Sequence, residues 1–188
     1  MEKFSGFNDP MTGINPFIAP RIPKITFLTV LKAILKLPIY FLYLLGLPVL
    51  PLLISISKTT AIVPKKLIYA NRSTDFDFDV IRHVYGITQF NYIPNTTCVI
   101  FPEKVRSNNK AILKFSEDSS DYVIGLKYSA EAVYVYGSRI LWLISFLGSS
   151  PKVEVKCLKG SNLPEAAGLP KVSLDFNDKK AFMKIIGK

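Results

Sequence analysis

The sequence predicts a layered α/β or α+β domain behind an apolar N-terminal segment, and three observations carry that prediction. Short apolar runs at residues 67–70 and 98–101 each end at a polar loop, as strands that deliver a site do. Between them Phe78, Ile81 and Tyr85 recur at helical spacing ahead of Gly86, a common helix stop. Farther on, residues 153–157 and 172–176 alternate apolar and polar side chains, the pattern of half-exposed strands.

The apolar segment comes first in chain order. From Ile25 to Ser57 the only charges are Lys32 and Lys36, and 37–57 is a run of 21 residues with none. About 20 apolar residues span a hydrocarbon core. The segment starts too late and runs too long for a cleaved signal peptide, and a buried core helix of this length would carry a polar face. Gly46, Pro48 and Pro51 are expected to break a helix inside it. Cations flank both ends, Arg21 and Lys24 before, Lys58, Lys65 and Lys66 after. The positive-inside tendency then favours a re-entrant hairpin over a single crossing. The sequons at Asn71 and Asn95 offer a topology test, since only lumenal ones are glycosylated.

The elements after it follow from local pattern. Residues 67–70 read as a strand, 78–85 as a helix and 98–101 as a strand stopped by Pro102. Strands are expected at 111–115, 122–126 and 132–136. Residues 140–147, which include Trp142, are almost wholly apolar but too few to span a bilayer. They read as a helix packed on the sheet or lying in a membrane interface. Strands at 153–157 and 172–176 complete a single domain.

Composition narrows the function classes. The 188 residues are 49% hydrophobic with a formal net charge of +10. An anionic membrane surface satisfies both properties, whereas nucleic acid explains the charge but not the apolar segment. Cys98 and Cys157 lie far apart without metal-ligand spacing, and read as reduced, buried thiols. No metal site is expected.

Two motifs carry chemistry: Asn71-Arg72-Ser73-Thr74-Asp75-Phe76-Asp77 and Phe101-Pro102-Glu103-Lys104-Val105-Arg106-Ser107. Their layout resembles that of the glycerolipid (lysophosphatidic acid) acyltransferases, which pair Asn-His-x-x-x-x-Asp with Phe-Pro-Glu-Gly-Thr-Arg-Ser. The opening Met1-Glu2-Lys3-Phe4 and Thr12-Gly13-Ile14-Asn15-Pro16-Phe17 are similar to the fungal vacuolar-protein-sorting lysophosphatidic acid:oleoyl-CoA acyltransferases, which also lack the standard His. The resemblance divides the chain into a cytosolic segment (1–24), a membrane-embedded segment (25–57) and a shortened acyltransferase-like domain (58–188). It implies transfer of an acyl group from acyl-CoA, as co-substrate rather than cofactor, to a lysophospholipid such as lysophosphatidic acid. The site would face the cytosol at the endoplasmic reticulum membrane or a lipid droplet.

By that resemblance Asp77 is the catalytic residue that orients a base, and Arg72, Glu103, Arg106 and Ser107 hold the acceptor phosphate; read from position alone, Asp77 is equally a helix N-terminal carboxylate, and Lys104, Arg106 and Lys110 make a basic solvated loop. Arg72 stands where the family has its His, and a guanidinium donates hydrogen bonds but cannot take a proton. Loss of a positioned base typically costs about two to four orders of magnitude in rate. His83 does not replace it, because six helical residues place it about 240° round from Asp77. Only 26 positions separate Asp77 from Glu103, so the family's Gly-rich acceptor block is missing, and Lys104-Val105 stands for Gly-Thr. A non-catalytic, membrane-anchored lipid-binding or scaffolding protein is the alternative.

Overall fold

The computed structural model describes residues 2–18, 24–59, 67–93, 96–116, 120–129, 133–134 and 138–186. It has mixed α/β character. Helices α1 (Phe27–Leu44) and α2 (Leu50–Leu53) precede β1 (Ser55–Lys58) and β2 (Leu67–Ala70); α3 (Phe76–Tyr85), β3 (Cys98–Ile100) and β4 (Tyr122–Tyr128) follow. Helix α4 (Arg139–Ser149), β5 (Lys152–Lys159), α5 (Leu163–Ala167) and α6 (Phe176–Ile185) complete the described elements. The sheet runs β1-β5-β4-β2-β3. Strand β2 pairs in parallel with β3 on one side and β4 on the other, while β5 is antiparallel to β4. The chain leaves β2 for β3 and then crosses to β4, so the carboxyl end of β2 lies at a topological switch point, where open sheets form ligand crevices.

Strand alternation separates the core into layers. Ile68 and Ala70 of β2 face a cluster with Val80 and Ile81 of α3 and Phe146 of α4, whereas Tyr69 faces Ile112, Val123 and Leu163 on the other side. A third cluster joins Phe17, Leu113, Val172 and Phe182. Residues 2–18, set apart in the sequence reading as a segment of their own, therefore pack into the same unit through Phe4, Phe7 and Phe17 around Phe182. Asp9 fastens this region by accepting hydrogen bonds from the Ser173 amide and hydroxyl and the Thr12 amide and hydroxyl.

Gly125 lets α5 sit on β4. A Cβ there would lie 2.2 Å from the backbone of Ala166 and Ala167, closer than any tolerated contact. Gly125→Ala is expected to displace α5 and cost about 3 kcal/mol, a fall of roughly 6–12 °C in melting midpoint. A midpoint unchanged in thermal denaturation would contradict this packing.

The apolar segment divides into two parts at Gly46. Helix α1 is long and apolar enough to cross a membrane. It starts at a capping box between Thr26 and Thr29 and gives way at Gly46, which has φ +83°. Beyond the break, Leu50, Leu53 and Ile54 are buried in the protein core and Ser55–Lys58 forms the edge strand beside β5. The last residues of the 25–57 segment thus contribute core side chains and the start of an edge strand to the domain. Helix α1 lies along the domain. A Cβ on Gly148 of α4 would meet the Thr29 carbonyl at 2.6 Å, Lys36 Nζ donates to Ser150 Oγ at 2.7 Å, and Tyr43 OH donates to Asp79 Oδ2 at 2.5 Å.

Strands β2, β3 and β4, helix α3 with its left-handed Gly86 cap, and both free, buried cysteines agree with the sequence reading. The strands at 111–115 and 172–176 do not join the sheet. They meet each other instead, through an isolated Ile112–Lys171 bridge and a Lys114 amide donating to the Leu174 carbonyl. Asp175 then starts α6 with a capping box to Asp178, which ends the extended run. Of the strand expected at 132–136, residues 132, 135 and 136 lie outside the described residues, and Val133 and Tyr134 are not strand. Arg21, Lys65, Lys66 and the Asn95 sequon also lie outside them.

Candidate functional site

The two motif loops meet at the carboxyl ends of β2 and β3. Asn71 extends the ladder from β2 to β4 with its side chain: Nδ2 donates to the Leu126 carbonyl at 2.9 Å and Oδ1 accepts the Leu126 amide at 2.7 Å. It is fully buried, so its sequon cannot report topology in the folded chain. The Ser107 amide donates to the Arg72 carbonyl at 2.9 Å and knits one motif to the other. Lys104 closes the second loop in the left-handed region, φ +59°, with its amide donating to the Phe101 carbonyl. A lysine thus makes a turn that glycine makes without strain, at a cost of about 1 kcal/mol.

Both motif carboxylates serve the backbone. Asp77 Oδ2 accepts the amides of Ser73 and Thr74 at 2.6 and 2.8 Å, and Oδ1 accepts Tyr128 OH at 2.7 Å. Glu103 Oε2 accepts the Arg72 amide at 2.9 Å and Oε1 the Leu113 amide at 2.8 Å. Each carboxylate is buried and each oxygen is engaged, so neither is directed at a base or an acceptor phosphate. Burial raises Asp77 to about 6 against its hydrogen bonds, and burial raises Glu103 to about 8, with the nearby Asp77 charge adding to the rise.

These shifts have a defined sign. A folded-state pKa above the unfolded value means that the folded chain holds the extra protons as pH rises through that window. Stability is fully present below the unfolded values of 3.8 and 4.5 and is lost as pH climbs from there to about 6 for Asp77 and to about 8 for Glu103. The expected slope is about 1 kcal/mol per pH unit for each group still titrating, read as a falling thermal midpoint between pH 5 and 8. Asp9 is held well below the carboxylate range, mainly by the Ser173 hydroxyl, and acts only in stronger acid. Lys179, lowered to about 8 by burial and by Arg106, reverses the slope above that pH. A midpoint that rises from pH 5 to 8 would contradict the buried carboxylates.

The remaining motif residues divide between core and surface. Ser107 is buried, with no hydrogen-bond partner for its hydroxyl among the described residues. Arg72 and Arg106 instead open onto a cleft of about 650 Å³. The Arg72 guanidinium lies 5.1 Å from the Phe78 ring centre and 5.8 Å from that of Phe101, and its buried Nε–H has no acceptor among the described residues. Arg106 pairs with Asp75. Asp77, Glu103 and Ser107 are not among the cleft walls, so the five expected site residues do not form one site. His83 is exposed on α3 and also stands apart from the cleft.

Apart from Phe17, Lys104 and Val105, the other walls come from residues the sequence reading did not single out. Phe17, Tyr134, Phe182, Met183 and Ile186 give an apolar lining, and Lys104, Lys179, Lys180 and Lys184 add cations. Asn108 positions the N-terminal wall by donating to the carbonyls of Asn15 and Ile18 at 2.8 and 2.7 Å, and Tyr134 OH donates to the Phe17 carbonyl. The cap signal Asp175-x-x-Asp178 would have located α6, and with it three of the lysines. Chemically the cleft can hold an anion beside an apolar group, since cations line it together with aromatic and aliphatic side chains.

No family model matches the chain, and neither a curated protein nor a solved structure matches it.

Proposed function

We propose that this chain is a membrane-associated protein that binds a phosphate-bearing lipid in the cationic cleft and does not transfer acyl groups. The observation that carries the reading is the cleft wall itself: Arg72 and Arg106 with four lysines beside aromatic and aliphatic side chains, and no carboxylate or histidine among the described residues that line it. Asp77, which would steer such a base, is spent on Ser73, Thr74 and Tyr128.

Membrane association draws on a separate surface. Phe27, Leu31, Ile34, Leu35 and Phe41 of α1 are exposed, with Ile140 and Leu141 of α4 exposed as well. Helices packed along the domain with apolar outer faces suit insertion in the plane of a bilayer or a lipid-droplet monolayer. Endoplasmic reticulum and lipid droplet both offer that surface to a cytosolic domain.

Acyl transfer from acyl-CoA to lysophosphatidic acid is the second reading, favoured by the convergence of both motif loops at the switch point of the sheet. Incubating the purified chain with labelled oleoyl-CoA and lysophosphatidic acid separates the two. The expected result is no product above the protein-free background from folded protein. Turnover that disappears in Asp77→Asn would establish the enzyme instead.

A further inference from the structure

Six cationic side chains line the cleft: Arg72, Lys104, Arg106, Lys179, Lys180 and Lys184. No acidic side chain is among its described walls, and the counter-charges nearby are Asp75 on Arg106 and the buried Asp77 close to Arg72. These cations come from the two motif loops and from α6, whose Lys180 and Lys184 are one turn apart and share a face. A single phosphate monoester carries about −1.5 to −2 charges at neutral pH and would leave about half of the remaining charge uncompensated. Two phosphate groups approach balance.

The apolar part of the cleft says what bears those phosphates. Phe17, Val105, Phe182, Met183 and Ile186 line it beside the cations, so the ligand has an apolar portion as well as an anionic one. The Lys179 ammonium lies 5.1 Å from the Phe17 ring centre and 5.6 Å from that of Phe182, and donates to Tyr134 OH at 2.7 Å. Its setting within aromatic rings places a cation at the border between the two halves.

We infer that α6 completes the cleft as a receptor for a lipid headgroup bearing at least two phosphate groups. This rests on the phosphate-lipid reading above and narrows its ligand. The motif loops take one phosphate through Arg72 and Arg106, and Lys180 and Lys184 take the other.

The test uses the full chain and phosphatidylcholine vesicles of matched surface charge, containing phosphatidylinositol bisphosphate, phosphatidic acid or phosphatidylserine. Binding to the bisphosphate vesicles is expected to be at least about tenfold tighter than to either of the others. Lys180→Gln with Lys184→Gln is expected to reduce that preference below about threefold with an unchanged melting midpoint, whereas Lys152→Gln with Lys159→Gln, on β5 and outside the cleft, retains it. Equal binding to all charge-matched vesicles, or an unaltered preference in the α6 variant, would overturn the inference. Phosphatidic acid binding that depends on Arg72 and Arg106 but shows no bisphosphate preference would sink this inference and leave the broader reading standing. Failure to bind any anionic lipid would sink both. Soluble inositol trisphosphate binding as tightly as the vesicles would reassign the ligand to a free polyphosphate.

Discussion

Glu103→Ala is expected to destabilise the folded chain by about 2–4 kcal/mol, a fall of roughly 4–16 °C in melting midpoint. The carboxyl group accepts the Arg72 and Leu113 amides, and both are left without a partner when it is removed. Arg72 and Leu113 sit in different segments, so the substitution also uncouples the first motif loop from the extended 111–115 stretch. A residue that only contacted an acceptor phosphate would behave differently, losing ligand affinity while the midpoint stayed in place. Thermal denaturation of ligand-free protein therefore decides the role: an unchanged midpoint would return Glu103 to the binding site.

Replacing Leu31, Ile34 and Leu35 together with Glu is expected to release the protein from phosphatidylcholine vesicles, with at least a hundredfold loss of partitioning. These side chains are 44%, 61% and 69% exposed, so the substitutions leave the core untouched. At about 25 cal/mol per Å² their burial in acyl chains is worth several kcal/mol, and each new charge adds a desolvation cost. Sedimentation with vesicles measures the outcome. A variant that still sediments like the wild type would place attachment elsewhere, and a wild type that stays free of vesicles but dimerises through α1 would make a second copy the occupant of this face.

What the sequence revealed was what local pattern encodes. Strand β2, helix α3 with Gly86 and strand β3 are each set by neighbours in the chain, and each is found where the pattern places it. Ser55–Lys58 was hidden because it continues an apolar run, and its strand character comes from pairing with β5, almost a hundred residues later in the chain. Residues 172–176 alternate like a strand, but the Asp175 side chain caps Asn177 and Asp178 and turns the chain into α6. The site divides in the same way. Residue types at 72 and 106 pointed to anion binding, and the Asp77 bonds to Ser73 and Thr74 are local, whereas Tyr128 and Leu113, the remaining partners of Asp77 and Glu103 outside the motifs, are connected to them by no motif spacing. The α6 lysines reach the cleft through the packing of Phe182 against Phe4, Phe7 and Phe17, contacts remote in sequence.

The central claim is that the cleft binds phosphate-bearing lipid through its motif arginines, and equilibrium binding to phosphatidic acid vesicles tests it most directly. Wild-type protein is compared with Arg72→Gln and Arg106→Gln at matched vesicle charge, and the phosphatidylcholine background is subtracted. The account predicts at least about tenfold weaker phosphatidic acid-dependent binding for the double variant, with vesicle attachment through α1 retained. Wild-type and variant binding curves that superimpose would contradict it.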